Sequence, residues 1–586
     1  MDRSTIISLA VMILLVSASY ILAPPSHTVG KYRAEIKINY EEMTAGISFE
    51  FSIVHPNELV KEEVVHKSVT IVNGHNITIT ARGFSAYPLE PGVKVDYTIN
   101  IFLDGELIPI RPTQVTAMVR LPNGHLEKAL IMLLGNELIF RFAIRYKSKI
   151  AIATLVLIAY LWLTEPIPLV ASALLVPIIA VILGIMTAKE ALAPMFDPVI
   201  ALFLGGFLLA RAMNKYGLDK RIAINIIARA RSPVKLSLAM MFITCFLSFW
   251  MSNTAVAALM IPIALAILKT IEQERGSNYG KMLVLGVAYS ATIGGMGTII
   301  GTPPNAIAVS MLKSLANIEI SFLDWMIYAA PFTFLLLLIA FAYLYLVLPV
   351  KEDLKRGKVI FAELRETVIK IQLAEMGKMK REEKLTAMIL IVTVLLWFSQ
   401  KLPFKIMGWS GHGISSGIIA LIAGVLLFAL GLLDKEDLGK ISWETLLIFG
   451  GGLVLGEMLV LSGMSEYVAT SLIGVGNAFI ILMLLGFVSL IVTAFASNTA
   501  AAAILIPLAI PIGSALGISP VIPALIVAIA SSTDFALPIG TPPTMIAYST
   551  GYFKFREMVK IGFPLMIIGV LLVVLVMSPL WLFMLS

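Results

Sequence analysis

A single cysteine, Cys245, stands in 586 residues. That excludes a disulfide framework and any cysteine-rich metal site, and it leaves Cys245 as a small core side chain. Charge is also scarce: Asp, Glu, Lys and Arg together make up 14%, well below the share in soluble domains, about 25%. The six histidines are scattered, and the chain contains no HExxH, no GxxxxGK[ST] and no GxSxG beside a plausible triad. These absences argue against an enzyme and against direct ATP-driven work. The formal net charge of +7 sits mostly in loops, where it reports membrane topology rather than nucleic-acid binding.

What the chain has in excess is apolar surface: 58% hydrophobic residues and a mean hydropathy of +0.92. Windows of roughly 20 apolar residues, enough to cross ~30 Å of hydrocarbon as helix, recur from residue 150 onward. Unbroken runs of this kind suit helices and not a barrel. The chain reads as an all-α polytopic membrane protein with spans near 147–164, 167–186, 199–214, 281–316, 325–349, 386–402, 413–433, 443–460, 520–549 and 559–585. Two further apolar hairpins lie near 234–272 and 476–515.

Residues 5–23, TIISLAVMILLVSASYILA, are longer than a usual signal core and read as a retained first helix, within a segment 1–24. Residues 25–146 then lose the apolar character. Alternation in AEIKINY, GISFEFSIV, VDYTINIFL and LIFRFAIRY, with turn pairs Asn73-Gly74, Asp104-Gly105 and Asn123-Gly124, predicts about eight strands in a β-sandwich. The sequon at Asn76 is read as a chance match.

Segment 211–235 holds seven Lys/Arg and the linker 351–384 holds ten, against one in 187–198 and none in 461–475. The positive-inside rule makes the first two cytoplasmic. Counting spans from there puts the N-terminus in the cytoplasm, and residues 25–146 and the C-terminus outside. The organisation is therefore a repeat at 147–350, a cytoplasmic charged linker at 351–385 and a second repeat at 386–586.

The repeats are visible as motifs. FLGGFLLA (203–210) pairs with FGGGLVLG (449–456), Ser252-Asn253-Thr254 with Ser497-Asn498-Thr499, and GTPPN (301–305) with GTPPT (540–544). Five spans separate the two Ser-Asn-Thr hairpins, so the second enters from the opposite face: an inverted repeat.

The motifs carry their own chemistry. A hairpin that turns inside the membrane exposes backbone that lipid cannot satisfy. Ser-Asn-Thr supplies hydroxyl and amide groups at that turn, and the following helix N-terminus presents N–H groups with partial positive charge. Such a tip binds an anion. Paired prolines remove backbone donors and break the helix, which frees upstream carbonyls for a hard cation such as Na⁺. Ser248 and Thr493, four residues before Ser252 and Ser497, place one more hydroxyl a helical turn away.

The doubled Ser-Asn-Thr and GTPP motifs, with WLTEPIPL (162–169) and LFLGGFLLARAM (202–213), resemble the divalent anion/sodium symporter family over roughly residues 1–23 and 147–586. The resemblance implies an elevator-type transporter with two re-entrant hairpins and two broken helices, working as a homodimer in the cell membrane on di- or tricarboxylates or sulfate. It implies one sodium site from Ser248, Ser252, Asn253 and Gly301, and a second from Thr493, Ala496, Asn498, Gly540 and Pro542. Substrate would meet Asn253, Thr254, Ser497, Asn498 and Thr499, with Thr302 and Thr541 nearby. Retention of the whole set favours Na⁺ symport of a C4-dicarboxylate over sodium-independent exchange. A third reading, an anion-sensing receptor, needs no second conformation-selective site.

The sequence departs from the family at three places. The inserted, extracytoplasmic 25–146 domain has no implied role. Asp534 stands where the family has a small or apolar residue, and an intramembrane carboxylate costs roughly 2.5–3.5 kcal/mol on insertion scales; it is a candidate coupling residue that would ligate Na⁺, carry a proton or repel the wrong anion. Thr544 replaces the Asn305 of the first repeat. Glu165, in WLTEPIP, reads as interfacial.

Overall fold

The computed structural model describes residues 3–24, 26–40, 43–58, 62–72, 75–110, 112–123, 125–134, 137–230, 232–271, 273–350, 353, 376–401, 410–472, 477–538 and 540–585. Asn73-Gly74, Gly124 and most of the 351–384 linker lie outside those residues.

The first helix, Arg3–Leu22, packs on Ser148–Thr164, and the Tyr160 hydroxyl donates to the Ser8 carbonyl at 2.6 Å. Between these helices the described residues form eleven strands: β1 Gly30–Tyr40, β2 Met43–Val54, β3 Glu63–Val72, β4 His75–Phe84, β5 Ala86–Pro88, β6 Lys94–Leu103, β7 Glu106–Leu107, β8 Val115–Arg120, β9 Leu126–Lys128, β10 Leu130–Leu134 and β11 Glu137–Ala143. The sequence suggested about eight; β5, β7 and β9 have two or three residues each, too few to show alternation. One sheet runs β5-β2-β1-β8-β9 and the other β10-β11-β6-β4-β3. Alternate residues of both, among them Tyr32, Phe49, Phe51, Tyr97 and Phe140, meet in a core of their own. This is the two-sheet packing that period-2 patterning produces.

Seven described helices are long and apolar enough to cross a membrane: 188–216, Asn253–Thr270, Phe322–Val347, Trp443–Leu461, Ala478–Phe495, Asn498–Ala515 and 555–585. Shorter apolar helices fill in around them. The hairpins are Pro233–Ser248 with Asn253–Thr270, and Ala478–Phe495 with Asn498–Ala515. The spans expected at 281–316 and 520–549 are each two helices, Asn278–Gly295 with Pro303–Ala316 and Val521–Ala530 with Pro542–Ser549. In each, the second half starts on a GTPP proline at the first helical position, where the missing N–H costs nothing.

Three segments read as loops are largely helical. Ala188–Leu192, Leu218–Ile227 and Met464–Leu472 form short helices. In the second of these, Leu218, Ala223, Ile224 and Ile227 are buried, so its polar residues masked a one-sided apolar face.

The β-domain is tied to residues 461–467. Lys94 Nζ lies 2.6 Å from Glu466 Oε1, the Arg145 guanidinium sits 4.9 Å over the Tyr467 ring, and Gly92 N–H donates to Leu461 O at 2.7 Å.

Candidate functional site

Each hairpin tip is built the same way. Ser252 caps the helix that starts at Asn253, its hydroxyl accepting from Ala255 N–H at 3.3 Å. Ser497 caps the helix that starts at Asn498, accepting from Ala500 N–H at 3.2 Å. The capping preference of serine thus fixes where both helices begin, and the following amides are left pointing out of the tip.

One turn upstream, a hydroxyl bridges the tip to the neighbouring broken helix. Ser248 Oγ lies 2.7 Å from Asn253 Oδ1 and 2.6 Å from the Ala291 carbonyl. Thr493 Oγ1 lies 2.7 Å from Asn498 Oδ1 and 2.6 Å from the Ser531 carbonyl. In each triad one hydroxyl proton faces two acceptors. Three oxygens sharing one hydrogen is an acceptor excess that a hard monovalent cation would balance.

The two breaks differ. At the first, the buried Asn305 amide donates to the carbonyls of Gly295 (2.9 Å), Met296 (3.2 Å) and Thr298 (2.7 Å), and Trp325 Nε1 adds a bond to Met296 O at 3.1 Å. Thr298 Oγ1 donates to Phe249 O at 2.6 Å. At the second, Thr544 is too short to span the break. Its hydroxyl reaches Thr541 O at 2.7 Å and Pro538 O at 3.4 Å, closing a capping box with Thr541.

Both tips and both breaks line one cavity of about 720 Å³, through Ser252 to Ala255, Gly301 to Pro303, Ser497 to Thr499 and Gly540 to Pro543. Four helix N-termini therefore converge on a single space, each with partial positive charge. Phe203, Phe207 and Ile448 form apolar wall, and Arg211, Asn214, Lys440 and Glu444 lie on it as well. Arg211 Nε donates to Asp437 Oδ1 at 2.8 Å, and Lys215 bonds the same carboxylate at 2.6 Å.

Of the residues expected from sequence, Asn253, Thr254, Ser497, Asn498, Thr499, Thr302 and Thr541 all line the cavity, as do Ser252, Gly301, Gly540 and Pro542. Ser248 and Thr493 sit just behind it in the triads. Ala496 is not in the lining; its N–H bonds back to Val492 O. Asp534 is fully buried behind Gly540. Glu165 ends the Ser148–Thr164 helix, exposed and outside the lining. The carbonyls of Ala291 and Ser531 were not foreseen, because a main-chain ligand leaves no mark on residue type. Arg211, within LFLGGFLLARAM, was read only as part of a topology-setting basic segment, and Lys440 lies far in sequence from the Ser-Asn-Thr and GTPP motifs. Among the described residues no group of three or more His, Cys, Asp or Glu gathers to hold a metal.

A polytopic helical protein whose two hairpin tips and two broken helices line one cavity is a membrane transporter in class. The comparisons give the family. The model for the sodium:sulfate symporter transmembrane region matches residues 142–586, and the chain belongs to that family; it is a multi-pass transporter and not an enzyme. It is 39% identical over 446 residues to an uncharacterized transporter of Haemophilus influenzae, covering 74% of this chain and 92% of that one. It is 35% identical over 453 residues to a sodium-dependent dicarboxylate transporter, SdcS, of Staphylococcus aureus (74% and 85%), and 33% identical over 451 residues to the SdcS of Staphylococcus saprophyticus (73% and 85%). Among solved structures, the YdaH transporter of Alcanivorax borkumensis aligns with a TM-score of 0.45 at 14% identity, over 69% of this chain and 88% of that one.

Proposed function

We propose that this protein is a Na⁺-coupled secondary transporter of a divalent anion, a C4-dicarboxylate such as succinate. The carrying observation is the pairing, in each half, of a hairpin N-terminus with a hydroxyl–amide–carbonyl triad. Substrate carboxylates meet Asn253, Thr254, Ser497, Asn498 and Thr499 with Thr302 and Thr541. The triads take one Na⁺ each, together with Ser252 and Gly301 in the first half and Ala496, Gly540 and Pro542 in the second. The sodium-dependent dicarboxylate transporters among its relatives support cargo and ion alike.

Two Na⁺ neutralise a dianion, so the loaded cavity crosses hydrocarbon without the Born cost of bare charge. A third Na⁺ would add one net charge, worth ~2.3 kcal/mol per 100 mV. The hairpins and broken helices move as one body against the remaining helices, carrying the cavity as an elevator within a homodimer. Arg211 and Asn214 lead into the basic 211–235 segment, so the cavity shown reaches toward the cytoplasm, with residues 25–146 outside.

The test is uptake of radiolabelled succinate into proteoliposomes, with and without an inward Na⁺ gradient and with unlabelled succinate inside. Na⁺-dependent uptake supports symport. Uptake driven only by internal succinate means exchange, and binding without uptake means a sensor.

A further inference from the structure

The second break carries a carboxylate that the first half lacks. Counting back from the shared GTPP, Asp534 corresponds to Gly295; counting forward from the triad carbonyls of Ala291 and Ser531, it corresponds to Gly294. Either way the first half has no side chain there. Both glycines are packed against other groups: a Cβ on Gly294 would lie 2.2 Å from Cys245 O, and one on Gly295 would lie 2.3 Å from Asn253 Oδ1. In the second half Asp534 is accommodated, with its carboxylate packed against Gly540.

Asp534 has no solvent exposure, and neither carboxylate oxygen has a hydrogen-bond partner. The backbone amides of Ala536 and Leu537 lie beside it without closing a bond to Oδ1 or Oδ2. Oδ2 presses on Gly540, where a Cβ would come within 1.7 Å, and Gly540 lines the cavity. Three residues before Asp534 is Ser531, whose carbonyl belongs to the second triad and whose own hydroxyl is unpartnered. The Tyr289 hydroxyl, from the first broken helix, is likewise buried without a partner. The Tyr289 ring packs 5.2 Å from that of Phe535, the residue that follows Asp534.

The donor balance is therefore opposite in the two halves. At the first break an amide supplies protons to three carbonyls. At the second, that amide is replaced by Thr544, and the segment gains two carboxylate oxygens that only the Ala536 and Leu537 amides approach, together with the unpartnered Ser531 hydroxyl. A buried carboxylate with no ion partner is stabilised by a proton or by a cation, and here it lies against Gly540 at the cavity and three residues from a triad carbonyl. We propose that Asp534 is a ligand of a co-transported Na⁺ at the second broken helix, assisted by the Tyr289 hydroxyl, so that this half-site holds its cation before substrate arrives.

This deepens the transport reading and rests on it, yet it is tested without substrate. The full-length protein in detergent is titrated with Na⁺ at constant ionic strength, using choline as the replacement ion, with tryptophan fluorescence as the signal. Wild type is expected to bind Na⁺ without succinate. Asp534→Asn should raise the half-saturating Na⁺ concentration at least tenfold, while in Na⁺-free buffer it should melt no lower than wild type, since an unpaired buried charge is removed. Tyr289→Phe should raise the half-saturating concentration two- to fivefold, and it carries the test alone if Asp534→Asn is not recovered folded. An unchanged Na⁺ titration in a folded variant overturns the proposal. Na⁺-independent uptake by wild type would instead sink the symport reading, a result read in a separate assay.

Discussion

Asn305 offers the sharpest test of how the first break is held. Its amide has two protons shared among three carbonyls, and Asn305→Ala leaves Gly295 O and Thr298 O without that donor while Trp325 still serves Met296 O. A buried acceptor stripped of its partner costs about 1–3 kcal/mol; Gly295 O loses its donor outright and Thr298 O keeps only the longer bond from Gly301 N–H at 3.3 Å, so together they cost ~3 kcal/mol. Asn305 Oδ1 is itself unpartnered, and removing it returns ~1 kcal/mol. The balance, ~2 kcal/mol, is a factor of about 30 in the opening equilibrium of this region. Cys245 is a built-in reporter: it is the one cysteine in the chain, it is buried, and its carbonyl touches Gly294 beside the break. Labelling by a small maleimide in detergent should accelerate about 30-fold in Asn305→Ala, in the regime where labelling follows the open population. A rate within threefold of wild type, with equal rates once both are denatured, would refute the view that this amide holds the break closed.

Three further outcomes follow from contacts elsewhere. Thr493→Val and Ser248→Ala each remove one oxygen from a triad and should each raise the half-saturating Na⁺ for uptake about tenfold, the effect of ~1.5 kcal/mol, whereas Thr493→Ser should stay within threefold. Gly205→Leu should abolish folded protein on size-exclusion chromatography, because even a Cβ there lies 2.3 Å from the Ala420 carbonyl, and the helices Pro198–Tyr216 and Ser416–Ala429 cannot part without losing their shared core. In the β-domain, burial tends to raise the Glu127 carboxyl, but hydrogen bonds from His27 and Arg145 and the Arg145 charge outweigh it and bring it from 4.5 to about 2. Burial holds His27 below its ordinary 6.5. Both groups bind more protons unfolded than folded, so stability should fall as pH drops below about 6.5 through His27, then further from 4.5 toward 2 through Glu127. The Glu127 part is ~2 kcal/mol after solvent screening; a melting profile of Glu127→Gln as steep below pH 4.5 as wild type would exclude it.

Much of the site was legible in residue order because its chemistry is local. A serine that caps a helix, prolines that break one, and a hydroxyl four residues upstream act through neighbours in sequence, and the same offsets occur twice. The helical segments Leu218–Ile227 and Met464–Leu472 were missed for the converse reason: each is held by packing on another helix, the first chiefly on Pro233–Ser248 and the second on Asn498–Ala515.

By itself, then, the sequence determined that the chain lives in a membrane, since no other solvent accepts so many long apolar runs, that its polar tips come in two copies, and that a strand-rich segment interrupts the helices. Tertiary structure alone decided which oxygens meet. The Ala291 and Ser531 carbonyls join the triads only when the hairpins pack on the broken helices, because a main-chain ligand is the same atom in every residue. It also decided that the two breaks are unlike, one bound by the Asn305 amide and the other holding the buried Asp534 with no ion partner, a difference that appears only when every buried polar atom is assigned its partner.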